Sequence, residues 1–132
     1  MYLLDTNICV YVITKRNPKV INAFKSMPVG KIALSAVTLA ELEYGASKSA
    51  HRDRNRLMLI GFASPFKILT FDGRDAEIFG ILRAYLERRG TPIGPYDLQI
   101  AAQALARDFI LVTNNIREFE RIPGLKVENW AA

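Results

Sequence analysis

Four short, largely apolar runs punctuate the chain, at residues 2–4, 32–34, 67–71 and 109–113, and longer stretches with helical spacing separate them. Their apolar residues are consecutive rather than alternating. A strand buried on one face alternates apolar with polar residues, whereas a strand covered on both faces is apolar throughout. Strands of the second kind belong to parallel sheets, whose crossover connections lay helices over both faces. The pattern predicts an α/β fold: a mainly parallel sheet of four strands flanked by helices, with a fifth, edge strand at 125–127 ahead of Trp130. No repeat, low-complexity tract or linker interrupts it, so residues 1–132 are expected to form one domain.

Helix boundaries are well marked. Asn17 followed by Pro18 supplies an N-cap and a proline at the first helical position. A second helix is expected to start near Asp72 and to close on Arg88, Arg89 and Gly90, with Ile78, Leu82, Tyr85 and Leu86 as its buried stripe. Residues 48–60 read as another helix, basic in the first half and apolar in the segment LMLIGF.

Composition removes several classes of function. No apolar stretch approaches the roughly 20 residues that span a bilayer, and no basic segment precedes the first apolar run as in a secretory signal. Cys9 is the only cysteine, so neither an intramolecular disulfide nor a cysteine-rich zinc site can be built, and the cytoplasm is the expected compartment. Eighteen Lys and Arg against 13 Asp and Glu give a net charge of +5. The excess falls in clusters, among them Lys15–Arg16, Arg88–Arg89 and the segment KSAHRDRNR, which contains Arg52, Arg54 and Arg56. Such a surface attracts polyanions, RNA included, through a salt-sensitive term. On a helix those three arginines would spread around the axis, giving general attraction rather than a single groove.

Against this basic background, acidic and amide side chains gather where the strands end. Asp5 follows the first run directly, with Thr6 and Asn7 behind it. In open parallel sheets, ligands bind beyond the carboxyl ends of the strands. Glu41 and Glu43 follow the second strand on a helix, about 200° apart, so only one can face a given site, and periodicity does not choose between them. Gly45 leaves open space one turn beyond Glu41. Asp97 lies in the first turn of a helix beginning near Pro95, on the same face as Ile100, Ala101 and Ala104, and so points inward. The fourth run ends on Thr113, Asn114 and Asn115, where Asn115 and Glu118 also have the spacing of a helix capping box. Carboxylates brought together repel and hold protons. A divalent cation relieves that repulsion, and an all-oxygen donor set selects Mg²⁺ or Mn²⁺.

The segments LLDTN (3–7), SAVTLAELEYGA (35–46), GTPIGPYDLQIAAQA (90–104) and LVTNNIREFERIPGL (111–125) together resemble the PIN-domain ribonucleases. Within them the chain is similar to the VapC-type toxins of bacterial toxin–antitoxin pairs, and to the enterobacterial subgroup through IGPYD and TNNIREFER. The resemblance implies that Asp5, Glu41 and Asp97 form the acidic metal-binding core, which selects Glu41 over Glu43. Thr113 and Asn115 stand where many PIN domains carry a further aspartate, so Asn115 departs from the acidic pattern unless Glu118 or Glu120 reaches in. Thr6 and Asn7 would orient Asp5 and the site water. The implied activity is Mg²⁺- or Mn²⁺-dependent endoribonucleolytic cleavage by water attack on a phosphodiester. The implied substrate is RNA, with tRNA a frequent target in the family. The implied partners are a second copy of the chain and a small cognate VapB-type antitoxin. Two other readings have sequence discriminants or tests. An aspartyl-phosphate phosphatase would carry a second aspartate at position 7, where this chain has Asn7. A non-catalytic binding module would bind metal or a peptide and leave RNA intact.

Overall fold

The computed structural model describes residues Met1–Ala132. Five strands form one sheet: β1 (Tyr2–Leu4), β2 (Ile32–Ser35), β3 (Lys67–Leu69), β4 (Ile110–Val112) and β5 (Lys126–Glu128). Their order is β3-β2-β1-β4-β5 and every pair is parallel. Between them run α1 (Thr6–Thr14), α2 (Pro18–Ser26), α3 (Ala36–Ser47), α4 (Arg52–Ala63), α5 (Gly73–Arg88), α6 (Pro95–Arg107) and the single turn α7 (Ile116–Phe119). No helix is long and apolar enough to cross a membrane.

The consecutive apolar residues are explained by two cores, one on each face of the sheet. Leu4, Ile32, Leu34 and Val112 point to the face covered by α1 to α4, where they meet Ile8, Cys9, Val20, Leu42 and Leu59. Leu3, Ala33 and Leu111 point the other way, onto Leu82 and Leu86 of α5, Leu98 and Ile100 of α6, and Phe119 of α7. Complete burial of each such Leu or Ile contributes about 1.5–3 kcal/mol.

Caps follow the sequence signals closely. The Asn17 side chain accepts from the Val20 amide at 3.2 Å. Asp72 and Asp75 form a reciprocal capping box at the start of α5, and Gly90, just past its end, takes φ +70°, a left-handed conformation that costs glycine nothing. Several expected boundaries move; among the inner strands, β2 runs to Ser35 and β4 is Ile110–Val112 rather than 109–113. The helix expected at 48–60 is Arg52–Ala63, because residues 48–51 make the turn that lets α4 fold back beside α3. There the Ser49 hydroxyl donates to the Ala46 carbonyl and accepts from Asn55. The third strand stops at Leu69 rather than 71, and the last is Lys126–Glu128 rather than 125–127. Both lie at sheet edges, where a single neighbour sets the extent of pairing.

The strand order positions the site. The chain builds β1, β2 and β3 outward in one direction, then returns to place β4 on the other side of β1. At such a reversal, the connections leaving two adjacent strands diverge to opposite faces and open a crevice at their carboxyl ends. Here that crevice lies beyond Leu4 and Val112, and the next residues are Asp5 and Thr113.

Candidate active site

Asp5 is 5% exposed. Its amide donates to the Val112 carbonyl at 3.0 Å, extending the β1–β4 ladder by one bond. Its carboxylate accepts from the Ile8 amide at 2.9 Å and so caps α1. The capping role and a site role are therefore compatible, since a carboxylate has other lone pairs to offer. Burial pushes the Asp5 carboxyl up to about 6; hydrogen bonds from Thr113 and the Ile8 amide lower it, and the charges of Glu41 and Glu118 raise it.

Thr6, the first residue of α1, does not turn toward Asp5. Its hydroxyl donates to Glu41 Oε1 at 2.6 Å, with the Thr38 hydroxyl 3.5 Å away. Glu41 is thereby held over the crevice. Glu43 points elsewhere and pairs with Arg56 of α4 at 3.1 Å. The structure thus separates the two glutamates by their partners, and it ties one of the three clustered arginines to a carboxylate. Arg52 and Arg54 are exposed without an ion pair. Asn7 is exposed, without a side-chain hydrogen bond to Asp5.

Asp97 enters from the first turn of α6, half-buried. Burial raises its carboxyl to about 7, helped by the charge and hydrogen-bonding contact of Glu118 and by the charges of Asp5 and Glu41. Glu118, from α7, is the fourth acid of the group, whereas Glu120 is exposed and acts on neither aspartate. Asn115 occupies the N-cap position of α7, but its side chain does not cap. The expected capping box is absent: the Asn115 side-chain amide donates to the Glu118 carboxylate, while its backbone N–H donates to the Thr113 hydroxyl at 3.0 Å. Asn115 is exposed, and the backbone at this cap has φ −105° and ψ 59°. Asn115 therefore bears on the acidic group through Glu118.

Asp5, Glu41, Asp97 and Glu118 form a set of interacting carboxylates with no cationic partner; the ion pairs of the molecule all lie elsewhere. As they stand, no three of them enclose an ion-sized space. The donor chemistry nevertheless fits a hard divalent cation: the candidate donor atoms are carboxylate oxygens, and burial, with their unpaired charge added, raises two aspartates toward neutrality. Beside Glu41 opens a groove of about 740 Å³ lined by Thr6, Ala40, Tyr44, Gly45, Tyr96 and Gln99 among others. A Cβ added at Gly45 would meet nothing within 4 Å, in keeping with the space expected there.

A parallel sheet with acidic side chains gathered at its reversal point defines a class of α/β proteins with an acidic crevice, and comparison with known proteins identifies the family. Residues 2–125 match the PIN domain family. The chain is 44% identical over 129 residues to the tRNA(fMet)-specific endonuclease VapC of Salmonella typhimurium, covering 98% of this chain and 97% of that protein. It is 45% identical over 131 residues to ribonuclease VapC2 of Rickettsia felis, covering 98% of both. The crystal structure of VapBC2 from Rickettsia felis bound to a DNA fragment from its promoter matches with a TM-score of 0.91 at 44% identity, over 98% of each chain. This chain belongs to the PIN-domain family, among its VapC-type members.

Proposed function

We propose that this protein is a divalent-metal-dependent endoribonuclease and the toxin of a toxin–antitoxin pair, with RNA, and tRNA in particular, as its substrate. The observation that carries the reading is the set of unpaired, mutually repelling carboxylates at the sheet reversal of a chain with net charge +5. Asp5, Glu41 and Asp97 would hold Mg²⁺ or Mn²⁺, with Glu118 in the place of the further acid and Asn115 restraining Glu118. A divalent ion bound there supplies activation of water and charge neutralisation at the scissile phosphate. The protein's own part is positional. Asp5 is fixed by the α1 N-terminus, Glu41 by the Thr6 hydroxyl, and Asp97 by the buried face of α6.

The substrate and partner assignments rest on likeness to relatives described as a tRNA(fMet)-specific endonuclease and as VapBC assemblies. A cognate VapB-type antitoxin, a homodimer and a cytoplasmic setting belong to this proposal. The test is incubation of end-labelled tRNA and unstructured RNA with the protein in Mn²⁺, Mg²⁺ or EDTA. Internal cleavage that EDTA abolishes is expected. Phosphate release from small esters, or intact RNA in every condition, would defeat the reading.

Two predictions attach to the site's surroundings. Neutralising Arg52, Arg54 and Arg56 together to glutamine is expected to weaken RNA binding roughly ten-fold at low salt and to reduce its salt slope. Arg56 should contribute least, because Glu43 already neutralises it. Loss of one cleavage site with others unaffected would contradict a general electrostatic role. Asn115→Asp replaces an amide donor to Glu118 with a like charge. Calorimetric titration of the RNA-free variant is expected to give Mn²⁺ binding tighter by about three- to ten-fold, and its melt in EDTA should drop. An unchanged affinity and an unchanged EDTA melt would place Asn115 outside the acidic group's influence.

A further inference from the structure

Gln103 is fully buried in α6, within a run of alanines, and every polar atom of its side chain is engaged. Its Oε1 accepts from the Ser35 hydroxyl. Its Nε2 donates to the carbonyls of Leu69 at 3.3 Å and Thr70 at 3.2 Å, at the end of β3. Ser35 is equally buried, closes β2, and with the same hydroxyl accepts from the Val37 amide at 2.9 Å, capping α3. The Gln103 carbonyl in turn accepts from Arg107, whose guanidinium grips Asp75 of α5. A buried amide whose donors and acceptor are all satisfied is a rigid connector, because any displacement leaves a polar group unpaired in the core.

This connector joins the two helices that carry distant members of the acidic group. Glu41 lies six residues after Ser35 on α3, and Asp97 lies six residues before Gln103 on α6. Six helical residues span about 9 Å, so a tilt at the Ser35–Gln103 junction is transmitted to both carboxylates. We propose that Gln103, acting through Ser35, is a positioning residue for the nuclease site: it sets the spacing of Glu41 and Asp97 without touching metal or RNA. The proposal rests on the nuclease reading above.

The test compares Q103L, S35A, the double variant and L59A. Leu59 is buried in the other core and serves as a control for destabilisation alone. Q103L is expected to lower kcat on a short single-stranded RNA by about ten-fold or more, with KM nearly unchanged, and to weaken Mn²⁺ binding to the RNA-free protein by a similar factor. L59A should melt earlier yet keep both values. S35A should act in the same direction, the double variant should be no worse than Q103L, and S35T should restore kcat by returning the hydroxyl. Should Q103L fail to fold, the S35A and S35T pair carries the same test. If Q103L and S35A match L59A in kcat and Mn²⁺ affinity while the parent cleaves RNA, the positioning role is overturned and the nuclease reading stands. A parent that cleaves nothing overturns both.

Discussion

Asp97→Asn is expected to abolish RNA cleavage, by about a thousand-fold or more, while making the metal-free protein more stable at neutral pH. The first effect follows from removing a charged donor from a set with few to spare. The second follows from the sign of the perturbation. Burial and the neighbouring carboxylates lift Asp97 to about 7 and Asp5 to about 6, far above the ordinary 3.8. In that interval the folded protein binds protons that the unfolded chain has already released, so stability falls as pH rises through it. Melts in EDTA should therefore show the parent losing stability between pH 5 and 8, values that bracket these two groups. The curve should be flatter for Asp97→Asn, whose amide can donate to Glu118. Added Mn²⁺ should raise the parent's melting temperature most at the alkaline end, where the carboxylates are ionised. Asp5→Asn should lose cleavage similarly. Near-parental cleavage by either variant with a normal melt would show that the acidic group is not the metal core.

Arg107→Ala is expected to be the most damaging single change to stability, at about 3–5 kcal/mol. Asp75 is 0% exposed, and Arg107 donates to it from both terminal guanidinium nitrogens, Nη1 and Nη2, at 2.6 and 3.2 Å. Burial alone would raise the Asp75 carboxyl; the hydrogen bonds from Arg107 and from the Asp72 amide, together with the Arg107 charge, bring it below 3.8 instead. The stabilisation from this pair is present at neutral pH and is lost only as acid carries the protein through that depressed value. Without Arg107 the sign reverses. Burial then dominates, Asp75 holds its proton more tightly than in the unfolded chain, and the variant should gain relative stability as pH falls toward 5. Urea melts of parent and variant at pH 5 and 8 check this. The double variant Asp75→Asn/Arg107→Met should recover part of the loss, because no buried charge is left alone. A variant that melts within about 1 kcal/mol of the parent would show that the pair is not needed to satisfy Asp75.

The acidic residues were legible as candidates because each stands beside a strong local signal. Asp5 ends an apolar run, and Asp97 shares a helical face with Ile100, Ala101 and Ala104. Choosing Glu41 over Glu43 lay beyond periodicity, since both are flanked by apolar neighbours. What separates them is a partner 35 residues away for one, Thr6, and an arginine on the next helix for the other. Gln103 was not singled out at all. A polar residue among alanines looks like a solvent-facing position until the end of β3 and Ser35 are brought against it. The Asn115–Glu118 spacing suggests a cap, but the one-turn α7 has no side-chain cap, and the Asn115 amide is spent on Glu118 instead.

What the sequence determined by itself is burial along one dimension. Uninterrupted apolar runs require cover on both faces, which makes the strands parallel and interleaves them with helices, and caps such as Asn17 and Asp72 mark where helices begin. Strand order was not contained in that pattern, because any of the four apolar runs is equally suited to lie beside any other. The tertiary structure placed β4 against β1 rather than beside β3, and so opened the crevice next to Asp5. Only that choice brings Asp97 and Glu118, about a hundred residues along the chain, close enough to Asp5 and Glu41 for the surrounding charges to add to burial in raising the two aspartates. Coulomb repulsion depends on distance in space, which helical and strand periodicities do not encode.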